Sequence, residues 1–565
     1  MLKALSAIGL SLCLMAGSTA FAQDRSQSRS MIISQGGIVA SESVLASQVG
    51  ASILEQGGNA IDAAVATNAM MGLVAPMNDG IGGDLFVIVY DAAAGQLTGL
   101  NASGWAPEKL TPDHLRSKGL NTMPQRGIDS VTVPGTVDGW DMLLRRFGNM
   151  SFSQVLAPAI THAEEGFAVG EVVSIYWRDS VAALQRDEPT AQTFLIDGLA
   201  PKMGEIFRNA ELAWTYGQIA EHGRDAFYNG TVAQKIIATS QRHGGMMEMA
   251  DLAEFRSEWV DPISTTYRGW TVTELPPNGQ GIAALEMLNI MEQYPLADYG
   301  HNSVRALHVM IEAKKLAYAD MIRYNADPNF SHIPVDGMNS KAYAQTRAAL
   351  IDPGAANCSV PAGLPPGTDH GTTYLSVVDA EGNMVSFIQS NFSSVGFGAS
   401  LAVEGAGFVL QNRGGLFTLN PTSPNVLAPR KRPIHTIIPA FMARGDTRIA
   451  FGIMGGWNQA QAHAQFVSNI VDFRMNVQGA LDAPRFSKAT FPGCDVSFES
   501  RISQSTRAEL DALGHDINMR GDFSSTRMGA GQAVLRNFTT GVNYGASDPR
   551  KDGAAISELR RPTMH

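Results

Sequence analysis

Between Asn357 and Gly371 the chain reads NCSVPAGLPPGTDHG, with three prolines and three glycines and hardly any apolar periodicity. That is the composition of a loop or linker. It separates two textures, and the separation constrains the fold more than any other feature. Before it, from Phe152 to about Leu350, helical spacing dominates: LAPAITHAEEGF, VAQKIIATSQRHGG and SVRALHVMIEAKKLAYADMIRYN each gather apolar residues on one face. After it, short runs alternate at period two, in TYLSVVD, MVSFIQS, GFVLQN, TIIPAFMA and RIAFGIM. Helical patterns return in AQAHAQFVSNIVDFRM and QSTRAELDALGH. Nearer the N-terminus a helix ends at Gly57-Gly58, a nearly all-apolar core helix runs from Ala60 to Val74, and LFVIVYD reads as a buried strand. YRGWTVTELPP reads as a strand returning to a sheet. Sheets packed between helical layers are what such grouping predicts.

Composition narrows the function. A chain of 565 residues with 44% hydrophobic and 17% charged residues is well-packed and globular. A net charge of -11, with Arg430-Lys431-Arg432 as its longest basic run, excludes a nucleic-acid partner, since phosphate binding needs a positive footprint. Residues 1–22 carry Lys3, an apolar stretch from about Ala4 to Ala16 and Ala20-Phe21-Ala22, the pattern of a secretory signal peptide with an A-x-A cleavage site. No later stretch offers a membrane span, so the expected location is periplasmic or secreted, with no membrane contact after signal removal. Of 3 cysteines, Cys358 and Cys494 remain after signal removal, which permits one disulfide without establishing it. No CxxC, HExxH or Walker-type loop occurs, so neither a metal nor a nucleotide cofactor is expected.

The stretch DHGTTYLSVVDAEGNMVSFIQS, Asp369 to Ser390, is a hairpin by pattern. With the turn centred near Glu381, Thr372 and Ser390 lie opposite one another, where cross-strand Cβ atoms come within about 4.5–5.5 Å. A Thr–Ser pair is common in sheets. The boundary is less ordinary: Thr372 begins the ordered arm just after the Pro/Gly-rich segment, where a peptide bond can break without tearing a core. A threonine so released carries an α-amine of pKa roughly 7.7–8.0, able to act as general base to its own hydroxyl.

At this point the chain resembles the γ-glutamyltransferase (γ-glutamyltranspeptidase) family of N-terminal-nucleophile hydrolases, whose proenzymes cut themselves before a threonine. ILEQGGNAIDAAVATN, PMNDGIGGDLF, VPGTVDGW, LPPNGQGIAALEMLNIME, IEAKKLAYADMIRY, GTTYLSVVDAEGN, KRPIHTIIPAF, MGG and YGASDPRKDGAA match family stretches in order. The resemblance implies an α+β, four-layer αββα sandwich. It also implies cleavage between Gly371 and Thr372, giving a large chain, 23–371, and a small chain, 372–565, that stay together as a heterodimer. Thr372 then matches the nucleophile, Ser390 the hydroxyl residue that hydrogen-bonds it, and Gly455 and Gly456 the diglycine whose amides form the oxyanion hole. The substrate would be a small-molecule amide, with no cofactor.

The departures fall at the substrate's amino-acid end. LNASGWAPEK has Ser103 and Trp105 where the family has a carboxylate-clamping arginine. LQNRGGLF places Arg413 and Leu416 where acidic or amide residues receive the α-amine, and Pro433-Ile434-His435-Thr436 replaces a Pro-Leu-Ser-Ser. Phe392 stands for an asparagine. A zwitterionic glutamyl head needs an anion for its amine, and a guanidinium there disfavours it. Arg413, His435, Thr436 and Trp105 are therefore the expected substrate-binding residues of a rebuilt donor pocket, with Arg413 suited to a carboxylate or carbonyl. Three readings stay open: a γ-glutamyl hydrolase/transferase such as a glutathione hydrolase; an amidohydrolase or acylase for other amides, like the oxamate- or cephalosporin-acylase members; and an inactive secreted binding protein on the same fold.

Overall fold

The structure, a computed structural model, describes residues 27–360, 373–392, 395–524 and 528–559. The expected signal segment, Gly371 and Thr372 lie outside the described residues.

The two sheets follow from period-two alternation. The first orders its strands Ala554–Ser557, Ile38–Ser41, Thr373–Val378, Met384–Ser390, Asp84–Asp91, Gln96–Ala102, Glu258–Val260. The second runs Ile32–Ser34, Val542–Ser547, Gly531–Asn537, Thr447–Ile453, Ala440–Arg444, Trp270–Glu274, Ile263–Tyr267. Every pairing within them is antiparallel. Along one strand, Leu85, Val87 and Val89 pack into a core shared with the helices Val44–Glu55 and Ala60–Val74, while Phe86, Ile88 and Tyr90 face the other way. That second face forms a separate core with Tyr374, Ile388, Phe441, Ala450 and Val534, drawn from both sheets. The opposite side of the second sheet, through Met442, Ile449 and Phe451, packs on the helices Gly281–Met291, Val304–Tyr324 and Gln459–Val471. Three cores between four layers make the αββα sandwich. Strands buried on both faces explain why LFVIVY is continuously apolar.

Local signals place the elements. Asn59 accepts from the Ile61 amide at 2.9 Å and Asp62 accepts from the Asn59 amide at 2.9 Å, a capping box that starts the buried helix Ala60–Val74. The hairpin has the expected register, from Thr373↔Gln389 to Val378↔Met384. Its turn is held by Asp379, which accepts from Gly382 at 2.9 Å and Asn383 at 2.8 Å, with Gly382 at φ +96°.

YRGWTVTELPP holds the expected strand, Trp270–Glu274, in the second sheet, and Arg268 and Gly269, both at positive φ (47° and 83°), turn the chain into it from Ile263–Tyr267. One expectation changes. GFVLQN joins neither sheet: its amides are spent on loops, Leu410 donating to Leu401 and Gln411 to Gly82, both at 3.0 Å. No helix among the described residues is long and apolar enough to cross a membrane.

Candidate active site

The site is built at one end of the first sheet. Ser390 closes its strand directly opposite Asp84 on the neighbouring strand. Ser390 Oγ accepts the Phe392 amide at 2.7 Å, and Phe392 itself sits at φ +81°, a conformation costly for a bulky residue. That turn brings the Phe392 ring beneath the Arg413 guanidinium, 4.3 Å from centroid to Cζ.

Asp84 is fully buried and organises what surrounds it. Oδ1 accepts from the Gly104 amide at 2.6 Å and Gln411 Nε2 at 2.9 Å; Oδ2 accepts from His435 Nε2 at 2.8 Å and faces Arg413 Nε at 3.4 Å. The last contact is an ion pair outside hydrogen-bonding geometry, since Arg413 Nε and Nη2 are both buried without an acceptor among the described residues. Arg413 Nη1 donates to Thr436 Oγ1 at 2.7 Å. Burial pushes the guanidinium pKa down to about 10, opposed by Asp84, and it stays charged at neutral pH.

His435 is held on both nitrogens: Nε2–H donates to Asp84, so Nδ1 is the acceptor for the Ile437 amide at 3.3 Å. Its ring packs on Phe86 at 4.7 Å. Burial, and then the neighbouring Arg413, push its pKa down to about 4 against the pull of Asp84, leaving it neutral. His435 thus buttresses Asp84 from within, and Thr436 and Arg413 line the site beside it.

The diglycine comes from the other sheet. Thr447–Ile453 ends in Met454, Gly455 takes φ +132° and Gly456 φ +59°, and a short 3-10 turn leads into the helix Gln459–Val471. A Cβ on Gly455 would meet the Gly529 backbone at 3.2 Å, so the turn requires glycine on both grounds. Among the described residues neither the Gly455 nor the Gly456 amide has an acceptor. Gln280 joins this turn to the pocket, its Nε2 donating to the Gly456 carbonyl at 2.8 Å and to the Thr436 carbonyl. Tyr374 fixes the sheets against each other: its ring lies so close against Gly452 that a Cβ there would overlap it, and its hydroxyl bonds Ser386 Oγ at 2.8 Å. Ser386 in turn accepts from the Ala440 amide of the second sheet at 3.0 Å.

A continuous chain of contacts therefore joins Ser390, Phe392, Arg413, Thr436, Gln280 and Gly456. Trp105 stands apart. Its half-buried ring packs on Phe255 at 5.2 Å and under Arg430 at 5.1 Å, and its Nε1–H donates to the Asp251 carbonyl at 3.3 Å. Sequence reasoning did not single out Asp84 or Gln280. The signal for Asp84 was present, an acid heading an otherwise apolar strand that must meet a partner once buried. A group of ligand-type side chains lies elsewhere: His308, Glu312 and His515 bring ligand atoms within 4.8 Å of one another. There Lys315 Nζ already sits 2.5 Å from Glu312 Oε1, and His308 Nδ1 and His515 Nε2 bond each other at 2.9 Å.

This four-layer sandwich, with its hairpin end beside a diglycine turn, is the architecture of N-terminal-nucleophile hydrolases. The sequence profile of the gamma-glutamyltranspeptidase family matches residues 46–558, and the chain belongs to that family. It is 38% identical to the glutathione hydrolase-like YwrD proenzyme of Bacillus subtilis, covering 92% of this chain and 98% of that one. It is 33% identical to the glutathione hydrolase proenzyme of Escherichia coli, over 91% and 90% of the two chains. The structure of a cephalosporin acylase from Bacillus halodurans superposes with a TM-score of 0.88 at 40% identity, covering 94% of this chain and 98% of that one. The protein is an enzyme of the hydrolase and acylase type that this family contains.

Proposed function

We propose that the protein is an exported, self-cleaving threonine amidohydrolase whose acyl donor carries a carboxylate or carbonyl and lacks the α-ammonium of a γ-glutamyl group. Cleavage between Gly371 and Thr372 frees the Thr372 amine. Thr372 Oγ attacks the amide carbonyl and passes its proton to that amine. The Gly455 and Gly456 amides stabilise the oxyanion and Ser390 orients the nucleophile. The C–N bond then breaks as the protonated Thr372 amine gives its proton to the departing amine, leaving an ester on Thr372 Oγ. Water hydrolyses that ester to release the acid and regenerate the hydroxyl. Relatives named as proenzymes support the cleavage, and the disulfide of the described fold suits an oxidising compartment.

The observation that carries the substrate reading is Arg413, a fully buried guanidinium with two N–H-bearing nitrogens lacking acceptors among the described residues. A buried donor left unpaired costs about 1–3 kcal/mol, which a ligand oxygen recovers. An ammonium about 4 Å from it would be opposed by about 4 kcal/mol at an effective dielectric near 20. Trp105, whose ring packs on Phe255 and under Arg430, would take no direct part, and His435 would serve as support for Asp84.

Glutaryl-p-nitroanilide and γ-glutamyl-p-nitroanilide differ only in that ammonium and form the test. The expected result is a kcat/KM at least about tenfold higher for the glutaryl compound, equivalent to about 1.4 kcal/mol. Equal efficiencies, or a preference for the γ-glutamyl compound, would overturn the assignment of Arg413.

A further inference from the structure

Cys358 and Cys494 form a disulfide, 136 residues apart in sequence. Cys358 precedes the proposed scissile bond and Cys494 follows it. We propose that this disulfide becomes a covalent cross-link between the two processed chains, tethering the new C-terminal tail of the large chain to the small one. The inference rests on the cleavage between Gly371 and Thr372 proposed above.

The two chains do not need the bond to stay together. In the first sheet, Ile38–Ser41 of the large chain lies between Ala554–Ser557 and Thr373–Val378 of the small one. In the second, Val542–Ser547 of the small chain lies between Ile32–Ser34 and Gly531–Asn537. Strands contributed alternately by both chains cannot separate without dismantling both sheets.

What the bond governs is local. From Asp352 to Ser359 nearly every residue is exposed and no helix or strand is formed. The contacts that hold the segment include the Ala356 amide donating to the Leu513 carbonyl at 2.7 Å, the Gly493 amide to the Cys358 carbonyl at 3.1 Å, Lys315 Nζ to the Asn357 carbonyl at 2.8 Å, the Asn357 amide to Glu312 Oε2 at 3.4 Å, and His308 Nε2 against the Asp352 carbonyl at 2.8 Å. Once the chain is cut, the disulfide is what joins this segment covalently to the small chain.

The bond is also asymmetric. Cys358 is exposed, whereas Cys494 is buried with Lys315 Nζ 3.9 Å from its sulfur. An external dithiol would attack Cys358 Sγ through one thiolate. The S–S bond breaks and its electron pair leaves on Cys494 Sγ, beside the ammonium that stabilises it. The second thiol of the reagent then displaces Cys358, leaving both protein cysteines reduced and the reagent oxidised.

The test is a denaturing gel of the purified protein, alkylated with iodoacetamide and run with and without dithiothreitol. The expected result is one covalent species without reductant and two chains with it, the smaller beginning at Thr372 by N-terminal sequencing. Cys358→Ser should give two chains in both lanes while eluting as one assembled species under native conditions. Two chains in both lanes from the wild type would overturn the cross-link and leave the cleavage standing. One full-length chain in both lanes would overturn the cleavage, and with it the interchain character of the bond.

Discussion

Replacing Asp84 with asparagine is the sharpest perturbation of the site, because the change is nearly isosteric and every contact is known. Two carboxylate oxygens face four N–H-bearing nitrogens, from Gly104, Gln411, His435 and Arg413. Asparagine offers one oxygen and one NH2. With the oxygen toward His435 and Arg413, its NH2 meets the Gly104 amide and Gln411. Gln411 can turn over, since its Oε1 is unpartnered, but the Gly104 amide cannot. With the oxygen the other way, the NH2 meets His435 Nε2–H and the guanidinium.

The lost charge costs more than the lost hydrogen bonds. Removing one partner of a buried ion pair costs about 3–5 kcal/mol, because the survivor stays buried and uncompensated. The 3.4 Å separation without a hydrogen bond puts this pair at the low end, about 3 kcal/mol. The decisive assay is a double-mutant cycle with Arg413→Met, read by urea unfolding of the processed protein through tryptophan fluorescence. Asp84→Asn with Arg413→Met should be more stable than Asp84→Asn alone by about 1–2 kcal/mol, since methionine removes the stranded cation. Effects that add to within about 0.5 kcal/mol would show that the two residues act independently, and the electrostatic account of the pocket would fail.

Further expectations concern the same end of the sandwich. Gly452→Ala drives a methyl into the Tyr374 ring, which already lies against the glycine; it should cost about 1–3 kcal/mol and lower kcat by shifting the hairpin against the diglycine turn. An unchanged unfolding midpoint with unchanged kcat would refute that coupling. Thr372→Ala should leave one full-length chain on a reducing gel where the wild type gives two; cleavage of the variant would remove Thr372 from the nucleophile's role. The buried His435, with its pKa pushed down to about 4 from 6.5, binds fewer protons folded than unfolded across that interval. Its contribution to stability is therefore intact above pH 6.5 and falls as pH drops toward 4, by about 3 kcal/mol. His435→Gln, which retains an N–H for Asp84, should flatten that acid limb, and an identical pH profile would contradict the assignment.

Much of the architecture was legible because it is periodic. LFVIVY and TYLSVV alternate between two cores that are both apolar, so the strands could be placed although their faces could not be told apart. The hairpin register followed from one turn, and Thr373↔Gln389 has the pairing that the turn near Glu381 demands. GFVLQN shows the limit. Its pattern is that of a strand, yet the glycines of the GIGGD loop let that loop approach closely enough to capture the Gln411 amide, and proximity between distant segments leaves no period in the sequence.

The pocket illustrates the same limit in its chemistry. Arg413 could be seen to stand where an anion was expected, but not that it would be wholly buried, because burial of a cation is decided by the acid that meets it. That acid is Asp84, over 300 residues away in the chain, and it meets Arg413 only because its strand lies beside the one ending in Ser390. The same strand order makes Asp84 both the cross-strand neighbour of Ser390 and the counter-ion of Arg413. In the proposed mechanism, substrate selection and nucleophile placement therefore share one residue. The neutral His435 occupies one oxygen of Asp84 without adding a second charge, and in the proposed function this leaves the Arg413 guanidinium donors for the substrate.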